Sequence, residues 1–106
     1  MVKRGDIWLV NLDPTVGGEI RKSRPCVVVS PPEMHDHLRT VVVAPMTSKS
    51  RPAPFRIAVT HAGQKGLILL DQMRSVDQLR LAKRLGAVSN RTLAGTLGVL
   101  QQVFAE

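Results

Sequence analysis

Apolar residues in this chain come in short runs separated by turn-forming and charged residues, and a helical period appears only near the C-terminus. The first run, G-D-I-W-L-V-N over Gly5–Asn11, reads as a strand stopped by Asp13-Pro14-Thr15. Val27–Ser30 predicts a second strand, since its three consecutive valines are β-branched and bounded by Pro25 on one side and Pro31-Pro32 on the other. Arg39–Met46, built on V-V-V-A, predicts a third. The alternating F-R-I-A-V of Phe55–Val59 predicts a fourth, and G-L-I-L-L-D-Q over Gly66–Gln72 a fifth. Between Arg74 and Val88 leucines and charges are mixed, which suits a short turn followed by a strand at Lys83–Val88. Ser89 then reads as an N-cap, with Leu93, Leu97, Leu100 and Phe104 at helical spacing behind it. Gly95 and Gly98 each weaken that helix by about 1 kcal/mol relative to alanine, so it has to be supported by packing. The pattern predicts a mainly β domain: a curled antiparallel sheet closed by one C-terminal helix.

The connections carry most of the polar residues. A loop over residues 13–24 has Gly17-Gly18 at its centre, which predicts mobility. Residues 31–38, P-P-E-M-H-D-H-L, read as a turn-rich connection, and T-S-K-S-R-P-A-P over Thr47–Pro54 as a basic loop stiffened by two prolines. Charge and hydroxyls therefore collect where strands begin and end. Arg24 precedes Pro25, which favours extended backbone and holds the guanidinium at the mouth of the second strand. Thr47, Ser48 and Lys49 follow directly on the third.

Charge sharpens the picture. Fifteen Lys and Arg against eight Asp and Glu leave a net charge of +7 in 106 residues, a length suited to one domain. That balance points to a polyanionic partner, nucleic acid before membrane, although a basic surface also serves solubility alone. Aromatic residues are limited to Trp8, Phe55 and Phe104, so a base-stacking platform is poorly supplied. The lone Cys26, enclosed by Pro25 and Val27, fits a small core residue better than a nucleophile. No window approaches the roughly 18 apolar residues of a membrane span. No apolar signal region precedes the first strand, and a cytoplasmic location is the expectation.

Arg24 and Thr47 are the candidates for one anion-binding site. If the anion is an RNA phosphate, the least demanding cleavage uses the RNA's own 2′-hydroxyl as nucleophile. The protein then has to supply a proton acceptor, a proton donor or cation, and stabilisation of developing charge, with no cofactor or metal required. Arg24 can hold two non-bridging oxygens at once. Thr47, Ser48 and Lys49 can add hydrogen bonds, with Arg21, Lys22 and Arg51 as further basic contacts on the two loops, and Glu19 is the candidate proton acceptor. Each has a plain rival: Arg24 as a surface residue that starts a strand, Thr47 as a turn hydroxyl, Glu19 as the counter-charge to Arg21 and Lys22. His35-Asp36-His37 would put two imidazoles on one face if extended, but two ligands without a third are weak support for a metal. Asp71, emerging from the apolar run L-I-L-L, is expected either to pair with Arg74 or to orient Arg24.

The segments G-D-I-W-L-V-N-L-D-P-T, G-G-E-I-R-K-S-R-P-C-V-V-V-S-P, V-V-V-A-P-M-T-S-K and G-L-I-L-L-D-Q-M-R-S-V-D together resemble the MazF/PemK (Kid) family of toxin endoribonucleases. The resemblance runs over nearly the whole chain, in order and with comparable spacing. It implies an SH3-like antiparallel β-barrel with a C-terminal helix, acting as a homodimer. It further implies metal-independent, sequence-selective cleavage of single-stranded RNA to 2′,3′-cyclic phosphate and 5′-hydroxyl ends, held in check by an acidic MazE-like antitoxin. By motif, the family's catalytic arginine falls on Arg24, its threonine on Thr47 and its loop glutamate on Glu19. The acid after the fifth strand falls on Asp71, and Leu69 stands where some members carry a second arginine, which places more weight on Arg24. The same barrel also serves non-enzymatic toxins that poison DNA gyrase through a tryptophan-containing tail, whereas this chain ends V-F-A-E. A basic barrel that binds nucleic acid without cutting it is a third alternative.

Overall fold

A computed structural model describes residues 1–106. Seven strands, β1 (Asp6–Asn11), β2 (Ser23–Val28), β3 (Thr40–Thr47), β4 (Arg56–His61), β5 (Gln64–Leu69), β6 (Arg74–Asp77) and β7 (Leu81–Ala87), form one antiparallel sheet. Two helices, α1 (Pro32–His37) and α2 (Asn90–Val103), complete the chain. The sheet runs β4-β5-β3-β2-β1-β7, with β6 joining β3 off this path. It curls into a half-barrel with the C-terminal helix against it, as the apolar pattern predicts.

The long strand β3 makes the curl possible. One edge pairs with β2 through Cys26↔Pro45, Val27↔Ala44 and Val28↔Val43. The other edge is shared: β6 takes its first half, from Thr40↔Asp77 to Val43↔Arg74, and β5 takes its end at Met46↔Ile68 and Thr47↔Leu67. Between β5 and β6 the chain makes a 3₁₀ turn over Leu70–Gln72. Gly66–Gln72 is therefore not one continuous strand: its last three residues turn so that the chain can move from one half of β3 to the other. The separate strand β6 escapes the sequence pattern because its four residues, R-S-V-D, bury a single side chain, Val76.

Both faces of β2 are covered, which explains its unbroken run of valines. Val27 and Val29 enter a cluster with Ile7, Ala44, Met46, Ile68 and Leu70, which α2 covers with Val99 and Leu100. Cys26 and Val28 enter a second cluster with Val10, Leu12, Val41, Val43 and Val76. Burial pushes the Cys26 thiol up to about 12, so it is held as the uncharged core residue its position suggests.

Helix α2 begins at its expected cap, with Ser89 Oγ accepting the Thr92 N–H at 3.1 Å. Its inner face is centred on the fully buried Thr96, whose hydroxyl donates to the Thr92 carbonyl at 2.8 Å. Phe104 lies beyond the helix and is 70% exposed, so it does not extend the apolar stripe.

Segment 31–38 is not merely a connection. It forms α1, which starts on Pro32, and helical rotation turns His35 and His37 to different sides. His35 is instead a structural residue, with Nε2 2.6 Å from Ser30 Oγ and Nδ1 3.3 Å from the Val2 carbonyl. No helix is long and apolar enough to cross a membrane.

Candidate active site

The β2–β3 register builds the site. The pairs Val28↔Val43, Val27↔Ala44 and Cys26↔Pro45 run toward the start of β2 and the end of β3, so Arg24 and Thr47 lie at the same end of this strand pair, just beyond its last paired residues. The two residues are brought together there at the surface of a single cavity. They line one cavity of about 140 Å³ with Ser48, His61, Gln64 and Lys65. That is smaller than the roughly 300–1,000 Å³ of typical small-molecule pockets and suits a phosphate with part of its sugar.

Arg24 lies inside β2 rather than at its mouth, because the strand starts at Ser23 and Pro25 is accommodated opposite Leu9 of β1. Its Nε donates to the Arg21 carbonyl at 3.4 Å, which fixes the planar guanidinium and leaves the two terminal nitrogens for a ligand. Thr47 is 8% exposed, and its Oγ1 accepts the Lys49 N–H at 3.2 Å. The hydroxyl thus caps its own turn and still has its proton to donate.

The remaining candidates divide. Ser48 lines the cavity, while Lys49, Arg51, Arg21 and Lys22 are exposed on the flanking loops. Glu19 does not line it: its carboxylate accepts the Val16 N–H within its own loop and faces a neighbouring groove of about 170 Å³ with Asp71, Gln72 and Arg74. That loop is fastened at several points. Gln72 Oε1 accepts the Ile20 N–H at 2.8 Å, Asp13 Oδ1 accepts the Lys22 N–H at 2.9 Å, and the Leu12 N–H donates to the Lys22 carbonyl at 3.0 Å.

Asp71 pairs with neither Arg74 nor Arg24. Arg56 of β4 holds it bidentately, Nε to Oδ1 at 3.1 Å and Nη2 to Oδ2 at 3.0 Å, while Arg74 donates to the Leu12 carbonyl. The 3₁₀ turn explains the change of partner, since it swings Asp71 off the strand toward the start of β4. The hydrogen bond from Arg56 lowers the Asp71 carboxyl below its ordinary value of 3.8. The sign follows: the unfolded chain takes up this proton first, so the pair stabilises the fold above the ordinary value and that contribution is lost as pH falls through the lowered one. We expect Asp71→Asn to melt below wild type at neutral pH and the two melting curves to converge in acid, as followed by circular dichroism.

Sequence reasoning missed His61, Gln64 and Lys65. They meet because Ala62 and Gly63, both at positive φ (51° and 78°), form a two-residue turn that pairs His61 with Gln64. Ala-Gly is a weaker signal for such a turn than Asn-Gly, so the hairpin reads as an undefined loop in the sequence.

A family model described as PemK-like, MazF-like toxin of type II toxin–antitoxin system matches residues 3–104. This chain belongs to the PemK/MazF-like toxin family. Among curated relatives, Endoribonuclease PemK of Escherichia coli is 36% identical, covering 97% of this chain and 82% of the relative. Endoribonuclease MazF of Staphylococcus saprophyticus is 30% identical over 88% of this chain and 82% of its own length. Among solved structures, MazF from Deinococcus radiodurans superposes with a TM-score of 0.83 at 29% identity, over 96% of this chain and 94% of that one. A MazE–MazF structure from the same organism gives 0.79 at 25% identity, over 98% and 95%. The half-barrel and C-terminal helix are thus those of PemK/MazF toxins.

Proposed function

We propose that this PemK/MazF toxin is an endoribonuclease that cuts single-stranded RNA at a short recurring sequence, and that messenger RNA cleavage is how it stops translation and growth. The observation that carries this is that Arg24 and Thr47 line one small cavity whose charged side chains are basic. The scissile phosphate sits on the free nitrogens of Arg24 and the hydroxyl of Thr47, with Ser48 as a further donor. The 2′-oxygen attacks phosphorus, the bond to the 5′-oxygen breaks, and the products are a 2′,3′-cyclic phosphate and a 5′-hydroxyl. Arg24 and Lys65 offset the charge that grows on the non-bridging oxygens, which is the work a metal does in other nucleases. Arg21, Lys22, Lys49 and Arg51 contact flanking phosphates, and Glu19 shapes the loop that carries two of them. The relatives named above are endoribonucleases, and the gyrase-poisoning alternative draws no support from them.

An acidic MazE-like antitoxin matches the +7 charge and the MazE-bound state of the Deinococcus toxin. The working form is a cytoplasmic homodimer, which sedimentation at micromolar concentration tests. For the activity itself, the purified toxin is incubated with a long unstructured RNA in EDTA and the fragment ends are mapped. Cuts at one short sequence with 5′-hydroxyl ends are expected. Intact RNA from folded, antitoxin-free protein, or cleavage abolished by EDTA, overturns the reading.

A further inference from the structure

Metal-free cleavage through the 2′-hydroxyl makes unequal demands on the site. Donors are plentiful in the cavity: Arg24, Lys65, Thr47, Ser48 and the Gln64 amide. Acceptors are scarce, because no carboxylate lines the cavity and the Glu19 carboxylate faces the neighbouring groove, closing its own loop. We propose that His61 is the proton acceptor for the 2′-hydroxyl in this toxin. The proposal rests on the ribonuclease reading above and adds a catalytic residue to it.

His61 is the one imidazole of the cavity wall, and imidazole is the side chain most often used as a general base. Of the other imidazoles, His35 is engaged by Ser30 and Val2, and His37 lies on α1. The position of His61 is built rather than incidental. It is the last residue of β4, held opposite Gln64 by the two-residue turn, and its ring reaches across to β7 at the far edge of the sheet. There it packs over Gly86, where an added Cβ would stand 3.6 Å from the ring's Cε1. The imidazole sits on a short stem at a strand end fixed by the turn, so its placement does not depend on a long flexible side chain.

The step balances as follows. His61 takes the proton from the 2′-hydroxyl as that oxygen's electron pair forms the bond to phosphorus. The bond from phosphorus to the 5′-oxygen breaks, and its electron pair leaves with that oxygen, which takes a proton from water. The hydroxide so formed recovers the proton from the imidazolium, returning neutral His61 and water.

The test compares wild type with His61→Gln and His61→Ala on two RNAs bearing the mapped cut sequence, one all-ribose and one with a single 2′-deoxyribose at the cut. The deoxy substrate cannot be cleaved and reports affinity alone. His61→Gln keeps a polar planar side chain and cannot act as a base, and a circular dichroism melt of both variants checks that the half-buried hairpin end stays folded. Both variants should lose about 10²- to 10⁴-fold in kcat, the range of a general base, while binding the deoxy RNA within about threefold of wild type. Cleavage by His61→Gln at the wild-type rate, or affinity for the deoxy RNA that falls in parallel with kcat, overturns the assignment. A wild type that leaves RNA intact overturns the ribonuclease reading itself, so the two failures are told apart by the wild-type lane.

Discussion

Replacing Arg24 with alanine should lower RNA cleavage by about 10²- to 10³-fold or more, the range seen when one preorganised charge-stabilising donor is removed from an active site. The fold should survive. Arg24 is half-buried and its one internal hydrogen bond goes to the Arg21 carbonyl, so its loss leaves no buried group unsatisfied. Arg24→Lys should recover little, since an ammonium on a flexible stem cannot hold two phosphate oxygens at once or be fixed through Nε. Single-turnover cleavage beside a circular dichroism melt checks both statements. An alanine variant that is folded and cuts at the wild-type rate would remove Arg24 from the site. One that binds RNA as before yet does not cut would separate chemistry from simple nucleic-acid binding.

The second large effect should come from a residue with no side chain. Gly66 of β5 runs so close to β3 that an added Cβ would stand 2.9 Å from the Thr47 carbonyl oxygen and 3.3 Å from its carbonyl carbon. Both are backbone atoms, so Gly66→Ala has no flexible group to push aside and has to move the end of β3 itself. We expect a loss of stability of about 1–3 kcal/mol, typical of overpacking at a tight site. We also expect kcat to fall on the order of 10²-fold, because a displacement of that size at a catalytic group costs about that much. Gly63→Ala is the control: nothing lies within 4 Å of its added Cβ, and its cost should be confined to backbone strain at φ +78°. A Gly66→Ala protein with wild-type melting and activity would show that the β3–β5 contact is looser than described.

The apolar pattern reveals most of this sheet because its strands are decided by burial. The runs through Ile7–Val10, Val27–Val29 and Val41–Ala44 are buried or half-buried at every position, and such continuous apolar runs stand out in the sequence. Strand ends are less legible. Strand β2 reaches back through Pro25 to Ser23 because β1 pairs there, a tertiary contact that a reading based on local punctuation does not contain. Strand β6 and the 3₁₀ turn before it are set by which half of β3 is free to pair, and no residue in R-S-V-D announces that. Of the site, Arg24 and Thr47 are legible because each stands at a boundary between an apolar run and a charged loop. His61 and Lys65 are not, since they reach the cavity through a turn whose Ala62 adopts a left-handed conformation uncommon for alanine.

The side chains of the cavity are drawn from β2, the end of β3 and the β4–β5 hairpin, so no short piece of the chain contains a working site. The order of synthesis therefore sets when the cavity can form. A nascent chain stalled anywhere before Gly66 lacks part of the cavity wall, and one that stops before Gly86 lacks the residue beside which the His61 ring lies. The cavity wall is complete only once most of the sheet has been made.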